Sequence, residues 1–397
     1  HSKWKSSYTE ATLSWDVSGY YMYLPATFIY KDLKKCAFIP QIIEKYHPTP
    51  DIQQGYWHEP SGNFVMKYAS GQAILMAPFF AVGHMMALSL DDYDADGFSY
   101  PYQISIGIGM LIYSILGIYF LCIILMRYFS DIVSFIVLLS IVIGSNYLLF
   151  ASVDQSMTHS PLFFLYALLL YLVDQFYKKP YLSAAIYIGV VTGLMTLIRP
   201  TEFIAMMIPI FWAIGTKEDF KKRVFFLYKD WKYALAVGFV FILIVSIQHI
   251  YWKYVTGEWI VYSYQDQGFS WLKPHFKDYT FSFSSGWLMY APIMVFAFIG
   301  IPFTIYRLKN HIIWIFFLIA YFIVCAWDVW DYGGTSGRAM VQYYPIVAFI
   351  FGSFITQVIR NRTLFYSILA VMILCAYINI WWVYHCYKGQ VPAIGHS

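Results

Sequence analysis

Charged side chains are scarce in this 397-residue chain: Asp, Glu, Lys and Arg together make up 12%, about half the share in an ordinary soluble domain. Too few ionisable groups remain to cover a water-facing surface, which argues against a soluble globular fold. Cysteine is also sparse. The five, Cys36, Cys122, Cys325, Cys375 and Cys386, show no CxxC or Cys/His metal spacing, and three lie inside apolar runs where packing accounts for them. Only Cys36 and Cys386 sit where an oxidising compartment would meet them; a bridge between them is the less favoured reading, free thiols the other. There is no repeat of fixed period and no low-complexity linker. The net charge of +4 is spread in short groups, so no nucleic-acid-binding surface is expected.

What remains is apolar: 60% hydrophobic residues, with aromatics at 21%, side chains suited to membrane interfaces. A spanning helix needs about 20 predominantly apolar residues, because hydrocarbon satisfies no free backbone group. Ten stretches qualify or nearly do: 102–126, 132–150, 161–177, 182–198, 203–215, 233–254, 287–306, 311–327, 341–359 and 363–384. Arg127, Lys178, Lys179, the basic group from Lys217 to Lys232, Arg307, Lys309, Arg360 and Arg362 all fall on one side of this arrangement, which the positive-inside rule makes the cytoplasm.

The opposite side receives residues 1–101, the connections at 151–160, 199–202, 255–286 and 328–340, and the tail. The chain opens at His1 with neither Met nor a signal peptide, so one further upstream helix is expected, making eleven. Within 1–101, Lys67–Leu90 is apolar but interrupted by Pro78, Gly83 and His84, and reads as a helix lying along or dipping into the outer leaflet. The expected fold class is therefore all-α: a polytopic transmembrane helical bundle over 102–397, with a large extracytoplasmic first loop, 1–101, bearing surface helices.

Ionisable residues near helix ends on one side of a membrane protein make functional candidates. Asp16, in Trp15-Asp16-Val17-Ser18-Gly19-Tyr20-Tyr21, stands among aromatic and small residues and reads as a general base or as a loop carboxylate. Lys67 offers a point charge for a lipid phosphate, or snorkels. Asp154 and His159 share a short outer connection, either assisting catalysis or serving the local structure. Arg199, before Pro200-Thr201-Glu202, and Arg338, after Gly333-Gly334-Thr335-Ser336-Gly337, suit bidentate phosphate recognition; Arg199 and Glu202 also have the spacing of a plain ion pair. One carboxylate with several cations on one face suits transfer from a phosphate-linked donor. Separately, Asp92, Asp94, Asp96 and Gly97 match the opening of a calcium loop. The match stops at Gln103, where a Glu is wanted, so a divalent cation and a solvated acidic turn are both open.

In this order along the chain, these segments resemble the C-type membrane glycosyltransferases, nearest the protein O-mannosyltransferases and lipid A aminoarabinose transferases. Asp16 fits the catalytic Asp of that family's first outer loop, and Lys67 with its KYASGQAILMAPFF run fits the carrier-phosphate Lys, although the family often has Lys-Pro-Pro there. Where many members carry Asp-x-Pro, this chain has His159-Ser160-Pro161, with Asp154 five residues earlier. The GLMTLIRPTEF segment and the YGGTSGRAM loop before Tyr343-Tyr344-Pro345 are also similar to segments of bacterial members.

The resemblance implies an inverting glycosyltransferase that takes its sugar from a polyprenyl phosphate, undecaprenyl if bacterial, and works on the outer face of the inner membrane. It implies Asp16 as base and leaves open which of Asp154 and His159 assists catalysis. Lys67, Arg199 and Arg338, with Tyr68 and Tyr344, would hold the lipid phosphate. The acceptor is open, and so is the need for a divalent cation. The rivals are a lipid-linked glycan transporter or flippase, and a ligase or polymerase that transfers whole glycans.

Overall fold

The computed structural model describes residues 11–50, 54–331 and 337–388, without the Cys386 side chain. Helices carry nearly all the regular structure. Three short ones, α1 (Asp16–Tyr21), α2 (Tyr23–Phe28) and α3 (Ile39–Tyr46), precede a hairpin of β1 (Gly55–His58) and β2 (Asn63–Met66), antiparallel with Tyr56 opposite Val65. Then come α4 (Gly71–Ser89), α5 (Tyr100–Leu125), α6 (Asp131–Val142), α7 (Tyr147–Ser152), α8 (His159–Lys178) and α9 (Leu182–Ile198). A 3-10 turn, Pro200–Met206, runs into α10 (Met207–Phe211), followed by α11 (Lys217–Lys229) and α12 (Trp231–Thr256). The last part holds α13 (Phe276–Phe281), α14 (Trp287–Tyr290), α15 (Val295–Ile299), α16 (Ile301–Leu308) and α17 (Ile312–Ala326). A 3-10 turn, Arg338–Tyr343, then leads into α18 (Tyr344–Val358) and α19 (Arg362–Tyr387).

Six helical stretches are long and apolar enough to cross a membrane: α4, α5, α8, α12, Arg338–Val358 and Arg362–His385. Only 6% of the apolar window of α12 and 17% of that in α19 is buried. Apolar faces of that extent are not left in water by soluble proteins, so lipid is their natural solvent. The chain has the make-up of an integral membrane protein.

Side-chain contacts fix the directions. Tyr113 stacks on Phe164, Phe120 packs on Tyr171, and Arg127 pairs with Asp174 at 2.7 Å, so α5 and α8 run parallel. Gly189 lies against Val237 and Val240, and Gly193 against Ile244, so α9 and α12 are parallel as well. Two parallel helices need a return between them, which Pro200–Phe211 supplies. The segment 203–215, short for a span, is thereby required by the packing of its neighbours.

Three expected elements differ. The stretch 287–306 is not one helix: Pro292 and Pro302 each start a new turn, the position where a ring that fixes φ and removes an N–H costs least. The stretch 132–150 is two helices, broken between Val142 and Tyr147. Conversely, Pro78 does not interrupt Lys67–Leu90, where α4 runs 19 residues through it.

By length α4 could cross a bilayer, yet its packing sets it apart from the other spans. It runs antiparallel to the first half of α5: Gly83 meets Tyr102, Phe79 meets Gly109, and Leu75 O accepts from Tyr113 Oη at 3.2 Å. Gly71 abuts the backbone of Ile198 at the end of α9. Since Phe163 lies beside Gly117, α8 begins near the level where α4 begins, and the two extend in opposite directions.

At the far end of α5 and α8, the Asp174 carboxylate is 3% exposed and accepts from Arg127, Tyr128 Oη and Lys178. Removing one side of a buried pair strands the other charge, whereas an exposed cation contributes little. Asp174→Ala is therefore expected to lower the thermal unfolding midpoint of the detergent-solubilised protein by several degrees, while Lys178→Ala leaves it nearly unchanged.

Candidate functional site

At the opposite end of the bundle, six segments of the chain close around one cavity of about 260 Å³. The first turn of α1 supplies Asp16 and Tyr20. The bend that follows β2 supplies Lys67 and Tyr68. Arg199, Pro200 and Thr201 come from the end of α9, and Arg338, Gln342 and Tyr343 from the 3-10 turn before α18. Phe269, Ile323, Val324, Trp327 and Val329 form an apolar wall. The lining thus combines four charged side chains with apolar ones.

Each polar group is held by its local structure. Asp16 opens α1 directly after Trp15, whose φ of 52° is costly for a side chain of that size. The Asp16 carboxylate accepts from Tyr68 Oη at 2.8 Å on Oδ1 and from Arg338 at 3.2 Å on Oδ2. Arg338 follows Gly337, where φ is 58° and an added Cβ would come within 2.5 Å of the Trp287 backbone. Only glycine fits there, and this fixes where the guanidinium starts. The rest of the expected glycine-rich loop, 332–336, lies outside the described residues.

Lys67 is placed by its backbone, which donates to Gln54 O and accepts from Ser263 Oγ, while neighbouring Met66 N and Ser70 N donate to Tyr251 and Gln248 near the end of α12. Its ammonium lies 5.7 Å from the ring centres of both Tyr68 and Tyr264, within reach of cation–π attraction. Among the described residues no carboxylate pairs with it. The Arg199 guanidinium lies near the Tyr20 hydroxyl and counters the upward shift of that phenol.

Burial, and then the charge of Asp16, raises the phenols of Tyr20 and Tyr68 above the usual range; burial does the same for Tyr264. All three stay protonated, and Tyr68 donates to the carboxylate.

Behind this wall lies a second layer. Glu202, fully buried, accepts from Tyr166 Oη, from Gln342 Nε2 at 2.6 Å and from Tyr343 Oη at 2.9 Å. Gln342 Oε1 in turn meets His159 Nδ1 at 3.1 Å. With its amide nitrogen committed to the carboxylate, Gln342 presents oxygen to the imidazole, so Nδ1 is the protonated nitrogen.

Of the residues expected at the site, Asp16, Lys67, Tyr68, Arg199 and Arg338 line the cavity together. His159 is buried one residue behind it, through Gln342. Asp154, half-exposed between α7 and α8, does not line it. Tyr344 does not either: its hydroxyl donates to Asn146 and accepts from Trp287 Nε1 in the core, and the adjacent Tyr343 takes the place at the wall.

The acidic turn is held by a lysine. Lys45 Nζ binds Asp94 at 2.5 Å and Asp96 at 2.8 Å, Asp96 Oδ1 caps Phe98 N and Ser99 N, and Asp92 is exposed. Among the described residues no three His, Cys, Asp or Glu side chains form a metal-binding group. Cys36 is a buried free thiol.

Tyr20, Glu202, Gln342, Tyr343 and Tyr264 were not expected as site residues. Tyr20 was legible in principle, one helical turn from Asp16 on the same face. Tyr264 carries no sequence signal, since a Tyr among 37 in a long loop is unremarked.

No family model matches the sequence. No curated protein matches it, and neither does any solved structure.

Gly19 lets α1 approach Tyr68: a Cβ there would fall 2.7 Å from the Tyr68 ring. A structure of Gly19→Ala is expected to show Tyr68 Oη withdrawn from Asp16 with the fold retained. Gly238→Ala, where an added Cβ meets nothing within 4 Å, should leave that contact intact.

Proposed function

We propose that the chain is an inverting glycosyltransferase that moves a sugar from a polyprenyl-phosphate donor to an acceptor hydroxyl, at the non-cytoplasmic end of its helices and in the manner of the C-type membrane glycosyltransferases. The reading rests on one observation: Asp16, Lys67, Arg199 and Arg338, from four separate segments, share one cavity that also has an apolar wall. Three cations and one carboxylate fit the charges of such a transfer. Asp16 takes the proton of the acceptor hydroxyl as its oxygen attacks the anomeric carbon. The bond from that carbon to the phosphate oxygen breaks on the opposite side, inverting the centre. The departing phosphate gains negative charge, which Lys67, Arg199 and Arg338 stabilise. The apolar wall of Phe269, Ile323, Val324 and Trp327 suits the first isoprene units of the carrier.

A volume of about 260 Å³ is at the small end of ligand sites. It favours a single sugar with its phosphate over the whole glycan that a ligase or polymerase would seat. A transporter for lipid-linked glycans would use the same cations but would need no proton acceptor among them.

That difference gives the test. With purified protein and a polyprenyl-phosphate sugar, Asp16→Asn is expected to lower turnover about 10³-fold while the lipid still binds. Lys67→Ala is expected to weaken binding of the lipid phosphate. Full transfer by a folded Asp16→Asn protein removes the base assignment, and the absence of any transfer alongside lipid movement across vesicles favours the transporter.

A further inference from the structure

At the end of the bundle away from the cavity, α11 is a complete helix with no buried residue. It starts with a reciprocal cap, in which Thr216 Oγ1 accepts from Asp219 N while donating to Asp219 Oδ2. The helix is therefore stably started and is not a frayed connection. One side chain anchors it. Arg223 donates to the carbonyls of Pro209, Ile210 and Trp212 at the end of α10, and its guanidinium lies 3.5 Å from the centre of the Tyr177 ring in the last turn of α8. This holds α11 level with the helix ends, where α12 begins its apolar run.

The exposed surface of α11 carries an apolar stripe and, apart from it, basic side chains. Phe220, Val224 and Tyr228 follow at i, i+4 and i+8, a single stripe, and all are exposed, Tyr228 by 82%. Lys221 flanks the stripe, and Lys222 and Lys229, seven residues apart, stand on the opposite side of the helix, all three exposed. Over 217–232 there are six basic residues against three acidic ones. Of the acidic ones, Asp219 serves the cap and Glu218 lies 3.4 Å from Lys221. Water would leave the aromatic stripe unburied, and a plain hydrocarbon face would strand the lysines. A headgroup layer with hydrocarbon below and phosphate above satisfies both.

We propose that α11 lies in the headgroup layer of the leaflet opposite the cavity and binds anionic phospholipid there, with Phe220, Val224 and Tyr228 inserted among the chains and Lys221, Lys222 and Lys229 on the phosphates. The excess of positive charge selects acidic headgroups over zwitterionic ones. This surface is independent of the glycosyltransferase reading.

The test is hydrogen–deuterium exchange of the full chain in nanodiscs of phosphatidylcholine, alone or mixed equally with phosphatidylglycerol. Amides of 217–229 are expected to exchange about five-fold more slowly in the anionic discs, while those of α5 do not change. Replacing all three lysines, Lys221→Gln, Lys222→Gln and Lys229→Gln, should abolish the difference, and replacing the same three by Arg should keep it. Equal exchange in the two discs, or a lipid dependence that survives the Gln replacements, overturns the proposal.

Discussion

Asp16 and Arg338 stand 322 residues apart in the chain and 3.2 Å apart in space, and the cavity end of the bundle is organised around that contact. A carboxylate near the end of a helical bundle is expensive unless its lone pairs are used. Here one oxygen is committed to Tyr68 and the other to Arg338, which draws α1, the bend after β2 and the turn before α18 to one point. Arg199 and Lys67 then fall beside it for separate reasons: Arg199 because α9 ends there, and Lys67 because Met66 and Ser70 are hydrogen-bonded to the end of α12. Three cations within one cavity repel one another. The single carboxylate, the aromatic rings near Lys67 and the buried Glu202 offset that repulsion.

The physics of the bilayer made much of the fold legible. The bounds of α5, α8, α9, α12 and α17 follow from where apolar runs meet charged or glycine-containing breaks, because hydrocarbon tolerates few alternatives to an uninterrupted helix. What composition does not reveal is whether an apolar run is continuous. Pro292 and Pro302 stand where one stretch breaks while Pro78 lies inside an unbroken helix, so the presence of a proline does not by itself locate a break. The direction of α4 was equally hidden, since it depends on α5 reaching beyond the level where α8 begins.

The site shows the same division. Asp16, Lys67, Arg199 and Arg338 could be chosen from sequence because charges near apolar helix ends are rare and therefore informative. Tyr344 was one residue out: the chain changes from a 3-10 turn to an α-helix between Tyr343 and Tyr344, and that change of winding decides which ring faces the cavity. Asp94 and Asp96 looked like cation ligands because their spacing is local, whereas the lysine that holds them is 49 and 51 residues away. His159 reaches the site through Gln342, and Glu202 through Gln342 and Tyr343, links that exist in three dimensions alone.

In the proposed reaction, Asp16 must accept a proton while two partners already hold it. A carboxylate offers about four acceptor positions, and Tyr68 and Arg338 occupy two, so an acceptor hydroxyl can bind without displacing either. Retaining both partners has a catalytic advantage. Tyr68 and Arg338 fix the direction of the remaining lone pairs, so the hydroxyl meets an oriented base, and Arg338 stays beside the phosphate as charge develops there. Proton transfer to Asp16 would leave Arg338 without its anion at the moment the departing phosphate becomes one. The same guanidinium can thus exchange a carboxylate for a phosphate as its partner, which couples deprotonation of the acceptor to departure of the carrier without any movement of the backbone.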